Sequence, residues 1–192
     1  MRQPHGDEGF LHGKLLIAMP GMEDERFEKS VIFMCAHTAR GAIGLIVNKP
    51  IPALPFRDLM IKMDIPVTDA TSRKPILFGG PVETDTGYVL HGVEQNRRPS
   101  TLHITPDIAL TPTVDMIRAI ADGRGPGRWL MALGHAGWGP GQIESEIAAN
   151  GWIHCDPDVG IVFDAEMEMK WQLAFGKLGA GLSGLSSEAG RA

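Results

Sequence analysis

The 192-residue chain is predicted to form an α+β domain. Apolar runs typical of strands outnumber the helical patterns, and helices are inserted among clustered strands without strict alternation, which disfavours a doubly wound parallel sheet. A chain of this length suits one domain, and no change of composition marks a second. We therefore expect a single domain over residues 1–178, followed by a Gly-, Ser- and Ala-rich tail over residues 179–192.

The first third of the sequence predicts three strands and a helix. Residues 15–19 (LLIAM) form a short apolar run ended by Pro20, which is typical of a buried strand. Residues 30–37 and 42–48 are rich in residues that favour strands, and the turn TARG between them predicts a β-hairpin. Both strands are apolar at nearly every position, so we expect the hairpin at the centre of the core. Residues 55–63 place apolar residues at helical spacing behind a proline, and so predict a short helix.

The middle of the chain predicts three more strands and a second helix. The strands are expected at residues 76–78, 87–91 and 102–104, separated by segments rich in glycine, proline and asparagine. Thr111 is expected to be the N-cap of the helix that follows, and Gly123 is expected to close it.

The last third predicts strands and helices around a glycine-rich segment. Residues 128–134 are expected to form a strand that leads into this segment, and residues 140–150 a helix. Further strands are expected at residues 152–155 and 161–163. Residues 166–178 predict a final helix with one apolar face.

Four glycines occur within residues 134–141. Such a density indicates backbone in conformations that other residues avoid, or a chain segment packed directly against it. The spacing matches neither glycine motif that binds phosphate, and Glu144 and Glu146 in the first turns of the following helix would repel an anion. We interpret the segment as a tight crossing that buries Trp138, and interpret the Gly79–Gly80 turn in the same way.

Composition disfavours several functional classes. A net charge of −5 and an isoelectric point near 5.8 argue against a broad phosphate-binding surface, so we expect no direct binding to DNA. The 2 cysteines are far apart, which indicates a reducing compartment rather than a disulfide framework. The apolar run at residues 15–19 is too short for a signal peptide or a membrane span. We expect a cytoplasmic protein with no membrane partner.

Cys35 and His37 are weak candidates for catalysis. They are two residues apart on a predicted strand, so their side chains should share one face. Such a pair can activate a thiolate, but the apolar neighbours favour an inert, buried thiol. His154 and Cys155 are adjacent and should face opposite sides of a strand, so no metal site is expected, and no motif implies a cofactor.

Three long motifs carry a resemblance to a known family. They are FMCAHTARGAIGLIVNKP, FGGPVETDTGYVLHG and LGHAGWGPGQIESEI followed two residues later by NGW, and their order and spacing resemble those of the YqgE/AlgH family of bacterial proteins. The opening LLIAMPGM and residues 171–190 also resemble this family. The resemblance implies a bent, bifurcated, mostly antiparallel sheet curled into a pseudo-barrel with helices packed around it. One branch has a name tied to transcriptional control of alginate synthesis, and no catalytic residue is implied.

The sequence leaves three functional hypotheses open. The favoured one is a non-catalytic binding or regulatory module that recognises a protein or a small molecule near Trp138 and the turn at Asn48 and Lys49. The second is an enzyme with thiol or acid–base chemistry at Cys35 and His37, and the third is a direct transcriptional regulator. The first is favoured because no set of residues supplies nucleophile, base and oxyanion donor together. The candidate binding residues are Asn48, Lys49, Gly79, Gly80, His135 and Trp138.

Overall fold

The computed structural model describes residues 10–68, 73–93, 100–112 and 114–179. The strands in these ranges are β1 (Leu15–Ala18), β2 (Val31–Thr38), β3 (Gly41–Ile46), β4 (Pro50–Pro55), β5 (Pro75–Phe78), β6 (Val82–Gly92), β7 (Leu102–His103), β8 (Ile108–Thr111), β9 (Trp129–Trp138) and β10 (Trp152–Cys155). The helices are α1 (Phe56–Lys62), α2 (Val114–Ala121), α3 (Gln142–Ala148) and α4 (Lys170–Lys177), with a π-helical turn at Gly160–Asp164. Of the predicted tail over residues 179–192, the structure describes Gly179, and residues 180–192 lie outside the described residues.

The strands form one forked, strongly curled sheet that resembles half a barrel. Its main path runs β10–β1–β2–β3–β9–β6–β8–β7, and every pair along this path is antiparallel. The fork is at β9, whose first half also pairs in parallel with β5, while β4 pairs with β5. The predicted α+β class and the bent, bifurcated sheet are confirmed.

For most of its length, away from the turn, the hairpin of β2 and β3 is buried on both faces, as the sequence predicts. Phe33 and Leu45 pack into the cluster that also contains Trp171 of α4. Ile32 and Ile46 point into a second cluster, which contains Ile143 of α3. Alternate residues of a strand project to opposite faces, so a strand that is apolar throughout is stable only when both faces are covered.

A third apolar cluster lies on the other arm of the fork. There α1 and α2 cover β5, β6 and the first half of β9, and the buried side chains include Phe56, Met116 and Trp129. Phe56 and Trp129 have ring centroids 5.1 Å apart. The short amphipathic helices are thus held by their apolar faces, as their sequence spacing predicts.

The glycine-rich segment is a strand rather than a loop for most of its length. β9 continues to Trp138 because its last residues pair with β3 after its first residues have paired with β6 and β5. Gly134, with φ of 71°, lies at the changeover between the two sets of partners. A Cβ atom on Gly134 would overlap the carbonyl oxygen of Gly80, and one on Gly79 would overlap that of Gly134. The interpretation as a tight crossing is confirmed, but the predicted end of the strand at residue 134 is wrong.

Other boundaries also differ from the prediction. β4 and β8 are absent from the prediction, because β4 contains three prolines and β8 ends at Thr111, which the sequence suggests as a helix N-cap before Pro112. Thr111 is the last residue of β8, paired with Val89, and is therefore not a helix N-cap. Residues 161–163 were expected to be a strand but belong to the π-helical turn, where the Asp158 carboxylate accepts the backbone N–H of Ile161 at 3.1 Å. An apolar run of three residues does not distinguish a strand from a buried helical turn.

Candidate functional site

A groove of about 430 Å³ opens beside the end of β9. One wall is the loop over residues 21–29, and the others are α3, the start of β10 and the end of β9. Its lining includes aromatic rings, an ion pair and a carboxylate: Phe27, Trp138, Trp152, Asp24, Arg26 and Glu146. Such a mixture of apolar surface and a few polar groups is typical of ligand sites.

The carboxylate of Glu146 joins α3, β9 and β10, which are three of the four elements that form the groove. Its Oε2 accepts the indole N–H of Trp138 at 3.0 Å and that of Trp152 at 2.8 Å. Its Oε1 accepts the side-chain amide of Gln142 at 2.8 Å, and the Gln142 carbonyl oxygen accepts the backbone N–H of Gly139 at 2.9 Å. Buried indole N–H groups need partners, and one carboxylate here satisfies two of them.

The aromatic rings pack edge to face along the groove. Trp138 and Trp152 have centroids 6.0 Å apart, and Phe27 and Trp152 have centroids 5.6 Å apart. Trp138 is 7% exposed, which confirms the prediction that its ring is buried. All three rings line the groove; Trp138 and Trp152 also belong to the second apolar cluster, and Phe27 packs against it.

The 21–29 loop adds an ion pair to the groove. The Nε and Nη2 atoms of Arg26 donate to the carboxylate of Asp24, with the shortest distance at 2.7 Å. These hydrogen bonds lower the pKa of Asp24 below its ordinary value. The Arg26 guanidinium carbon also lies 5.7 Å from the centroid of the Phe27 ring. The charge of Arg26 is therefore already matched within the loop.

Asn48 and Lys49 line a different cavity, of about 350 Å³, together with Trp171. The Asn48 side chain accepts the backbone N–H of Val31 at 2.8 Å and donates to the carbonyl oxygen of Lys29 at 2.8 Å. Lys49 donates to a backbone carbonyl of the 21–29 loop at 3.1 Å, and burial lowers the pKa of its amine. The structure thus does not bring these two residues into the groove with Trp138, and Asn48 holds two backbone segments together.

His135 belongs to a third location, on β9 next to the fork. Its Nδ1 lies 3.4 Å from the hydroxyl of Tyr88, which donates a hydrogen bond to Glu83 at 3.1 Å. Gly79 and Gly80 lie against the backbone of Gly134 and His135, where any side chain would overlap a backbone atom. The two glycines of this turn are accounted for by close packing.

Cys35 and His37 do not face each other. A β-bulge between Met34 and Ala36 leaves Cys35 as an extra residue, so the alternation of faces shifts by one. Cys35 points into the cluster that contains Trp171, and its Sγ donates to the carbonyl oxygen of Phe33. The expectation that the thiol and the imidazole share a face is wrong.

His37 instead connects the start of the described chain to α3. Its Nδ1 accepts the backbone N–H of Leu11 at 3.0 Å, so its Nε2 carries the proton that is donated to Glu144 at 3.1 Å. The Phe10 ring packs edge to face on the imidazole, with centroids 5.0 Å apart. These contacts hold residues 10 and 11 and α3 against β2.

Sequence reasoning missed Glu146, Trp152 and Phe27 as groove residues. Glu144 and Glu146 were interpreted as charges that complement the helix N-terminus, whereas both carboxylates accept hydrogen bonds from other elements. One sequence signal could have indicated this site. Gln142 and Glu146 are four residues apart and so share one face of the helix, and a tryptophan precedes and another follows the pair in the sequence.

The described ranges contain neither a metal-binding cluster nor a membrane-spanning helix. No group of three or more His, Cys, Asp or Glu side chains there could hold a metal ion. Within the same ranges, every helix is too short or too polar to cross a bilayer.

Known proteins resemble this chain over nearly its whole length. A UPF0301 protein of Rhodopseudomonas palustris (strain HaA2) is 48% identical over 190 residues, which are 95% of this chain and 87% of that protein. A UPF0301 protein of Jannaschia sp. (strain CCS1) is 50% identical over 183 residues, which are 95% of each chain.

The fold also matches solved structures. The solution structure of the AlgH protein of Pseudomonas aeruginosa has a TM-score of 0.77 and 36% identity, with 100% of both chains covered. A crystal structure of a protein from Corynebacterium diphtheriae has a TM-score of 0.70 and 18% identity, over 92% of this chain and 90% of that one, and shows the shared fold alone. A family model described as AlgH-like matches residues 15–183. On these matches, the chain belongs to the AlgH-like family, the family that its three sequence motifs resemble.

Proposed function

We propose that the protein is a binding module that captures a ligand in the groove between the 21–29 loop, α3 and the end of β9. The observation that carries this proposal is the network around Glu146, which fixes both groove tryptophans through hydrogen bonds of 2.8–3.0 Å. The ligand is a small molecule or a segment of a partner protein. In this view the protein acts in the cytoplasm as a regulatory or binding protein.

A fixed groove favours binding because little conformational entropy is lost when the ligand arrives. Trp138 and Trp152 are held at their N–H groups by one carboxylate and at their rings by each other. The volume of about 430 Å³ lies within the range of small-molecule sites.

The alternative of thiol chemistry has less support. Cys35 is 3% exposed, and burial raises the pKa of its thiol to about 12. A nucleophilic cysteine needs the opposite shift and a nearby base, whereas His37 is engaged on the other face of the sheet.

Replacing each of two neighbouring alanines with phenylalanine tests whether the groove binds ligands. Ala149 lines the groove and is exposed, so Ala149→Phe should fill part of the cavity without touching the Glu146 network. Ala148 is its exposed neighbour and does not line the groove, so Ala148→Phe is the matched control.

The measurement is a screen of small cations, anions, neutral aromatics and short peptides, read at the indole N–H resonances of Trp138 and Trp152. We expect at least one compound to shift both resonances saturably in the wild type and in Ala148→Phe, and to lose this effect in Ala149→Phe. The proposal is wrong if no compound shifts them, or if the two variants respond alike.

A further inference from the structure

Within the part of the chain that the structure describes, no cation is paired with Glu146. Among the salt bridges of the described residues, none involves Glu146, and the basic residue in the groove lining, Arg26, is paired with Asp24. The donors that reach the Glu146 carboxylate from the described residues are two indoles and an amide, all of them neutral. The groove therefore contains a fixed negative charge beside apolar surface, where electrostatic interactions are stronger than in water.

Glu146 also has capacity for a further donor. A carboxylate has about four acceptor positions on its two oxygens. Oε2 accepts two indole N–H groups, whereas Oε1 accepts one amide hydrogen. Glu146 is partly exposed and lines the groove, so a ligand there can approach its carboxylate.

The surroundings of the groove are acidic as well. The 21–29 loop contains Glu23, Asp24, Glu25 and Glu28 against Arg26 and Lys29, and α3 contains two glutamates and no basic residue. Like charges around a cleft raise the local concentration of ions of the opposite sign. Complementary charge thus favours a cationic ligand over an anionic one.

The aromatic lining favours a particular kind of cation. Phe27, Trp138 and Trp152 line the groove together with the thioether of Met22. Alkylated ammonium groups are weakly hydrated and bind well where aromatic rings and a carboxylate meet. The Arg26 guanidinium, 5.7 Å from the Phe27 centroid, already makes this type of contact at the edge of the groove.

We propose that the groove binds a small molecule through a substituted ammonium group, which lies beside Glu146 among the aromatic side chains. This inference rests on the proposed function and names the class of its ligand. The volume of about 430 Å³ accommodates a small organic cation rather than a folded partner.

The test compares choline with its neutral isostere 3,3-dimethyl-1-butanol, which has the same shape and no charge. Both are titrated into the wild-type protein while the indole N–H resonances of Trp138 and Trp152 are followed. We expect choline to bind at least about tenfold more tightly than the alcohol, and to weaken as salt is added.

Two matched variants test the role of the carboxylate. Glu146→Gln keeps an acceptor for the indoles but removes the charge, and we expect it to weaken choline binding by about tenfold while the alcohol is unaffected. Glu144→Gln removes the same charge from the same helix outside the groove and keeps an acceptor for His37, so choline binding should be nearly unchanged.

The outcomes separate this inference from the proposed function. If the wild-type protein binds choline and the alcohol equally well, the inference that the ligand is a cation is wrong. This comparison uses only the wild-type protein, so it does not depend on the stability of the variants. Tighter binding of a lysine-containing peptide than of any small ammonium compound also overturns it, since the ligand would then be a protein segment. In both cases the groove still binds, whereas failure of every compound in the screen overturns the proposed function as well.

Discussion

Cys35 is the residue whose reactivity the fold suppresses most. Its thiol is 3% exposed and packs in the apolar cluster that contains Trp171, and burial raises its pKa to about 12. Desolvation disfavours the thiolate, which is the reactive form. The apolar neighbours in the sequence predict this outcome, although the bulge that places the side chain could not be predicted from them.

We expect Cys35 to react slowly with a thiol reagent such as DTNB. In a Cys155→Ser variant, which leaves Cys35 as the single cysteine, labelling at neutral pH should be at least about a hundredfold slower in the folded protein than in denaturant. Rapid labelling of the folded protein, with a rate that titrates below pH 7, would restore the hypothesis of thiol chemistry.

Lys170 is a buried cation of structural importance. Its side chain is fully buried, and its Nζ donates to the carbonyl oxygens of Val47 at 2.9 Å and Val162 at 2.7 Å. The ammonium thereby joins the end of β3 to the π-helical turn. Burial, opposed by the negative charge of Asp164 and assisted by the positive charge of Lys74, lowers its pKa from 10.5 to about 8.

The lowered pKa of Lys170 predicts a pH dependence of stability. Between about pH 8 and 10.5 the unfolded chain keeps the proton that the folded chain releases, so the free energy of unfolding should rise with pH over this window. The rise should reach at most about 3 kcal/mol. Lys170→Met removes the titrating amine. Subtracting the free energy of unfolding of this variant from that of the wild type at each pH cancels the contributions of the other titrating groups. Parallel stability curves from pH 7 to 10 in urea titrations would contradict the prediction.

The fork in β9 depends on the conformation of its glycines. Gly134 has φ of 71°, and an added Cβ atom would overlap the Gly80 carbonyl oxygen. We expect Gly134→Ala to lower the free energy of unfolding by about 2 kcal/mol or more, because both the left-handed backbone and the overlap are unfavourable.

Gly139 is the matched control for this substitution. It lies near the end of the same segment, and an added Cβ atom would come no closer than 3.8 Å to Gln142 Oε1. Gly139→Ala should change stability by less than about 0.5 kcal/mol in denaturant melts. Similar losses in both variants would show that the glycines act through chain flexibility and not through the crossing.

The sequence predicts those strands and helices whose formation depends on residues close to one another in the chain. The hairpin of β2 and β3 follows from continuous apolar runs around a turn, and α1 follows from its spacing and from Pro55, which is its N-cap. The length of β9 could not be predicted, because it depends on pairing with β3, which is about ninety residues distant in sequence. The same limit applies to the groove, since the contact of Glu146 with both tryptophans requires the folded arrangement of α3 and β10.

At the scale of the whole molecule, the net charge distinguishes direct DNA binding from a role that acts through a ligand or a partner protein. The chain has a net charge of −5, and the groove is bordered by the acidic residues of the 21–29 loop and α3. A regulatory role would then act through the bound ligand or a partner protein. The arginine pair at residues 97–98 lies outside the described residues, and it is too small to form a basic surface by itself.

We therefore expect no specific binding to duplex DNA by the purified protein. DNA binding at physiological salt rests on releasing counterions from phosphates with clustered lysine and arginine side chains, and an acidic protein repels the duplex instead. The measurement is fluorescence anisotropy with labelled duplexes at about 0.15 M salt. Binding tighter than about 1 μM that survives unlabelled competitor would contradict this expectation, because nonspecific binding is typically weaker and is lost to competitor. The salt dependence of the affinity would then give the number of phosphates that the protein contacts. Loss of DNA binding in Ala149→Phe would show that the nucleic acid binds in the groove itself.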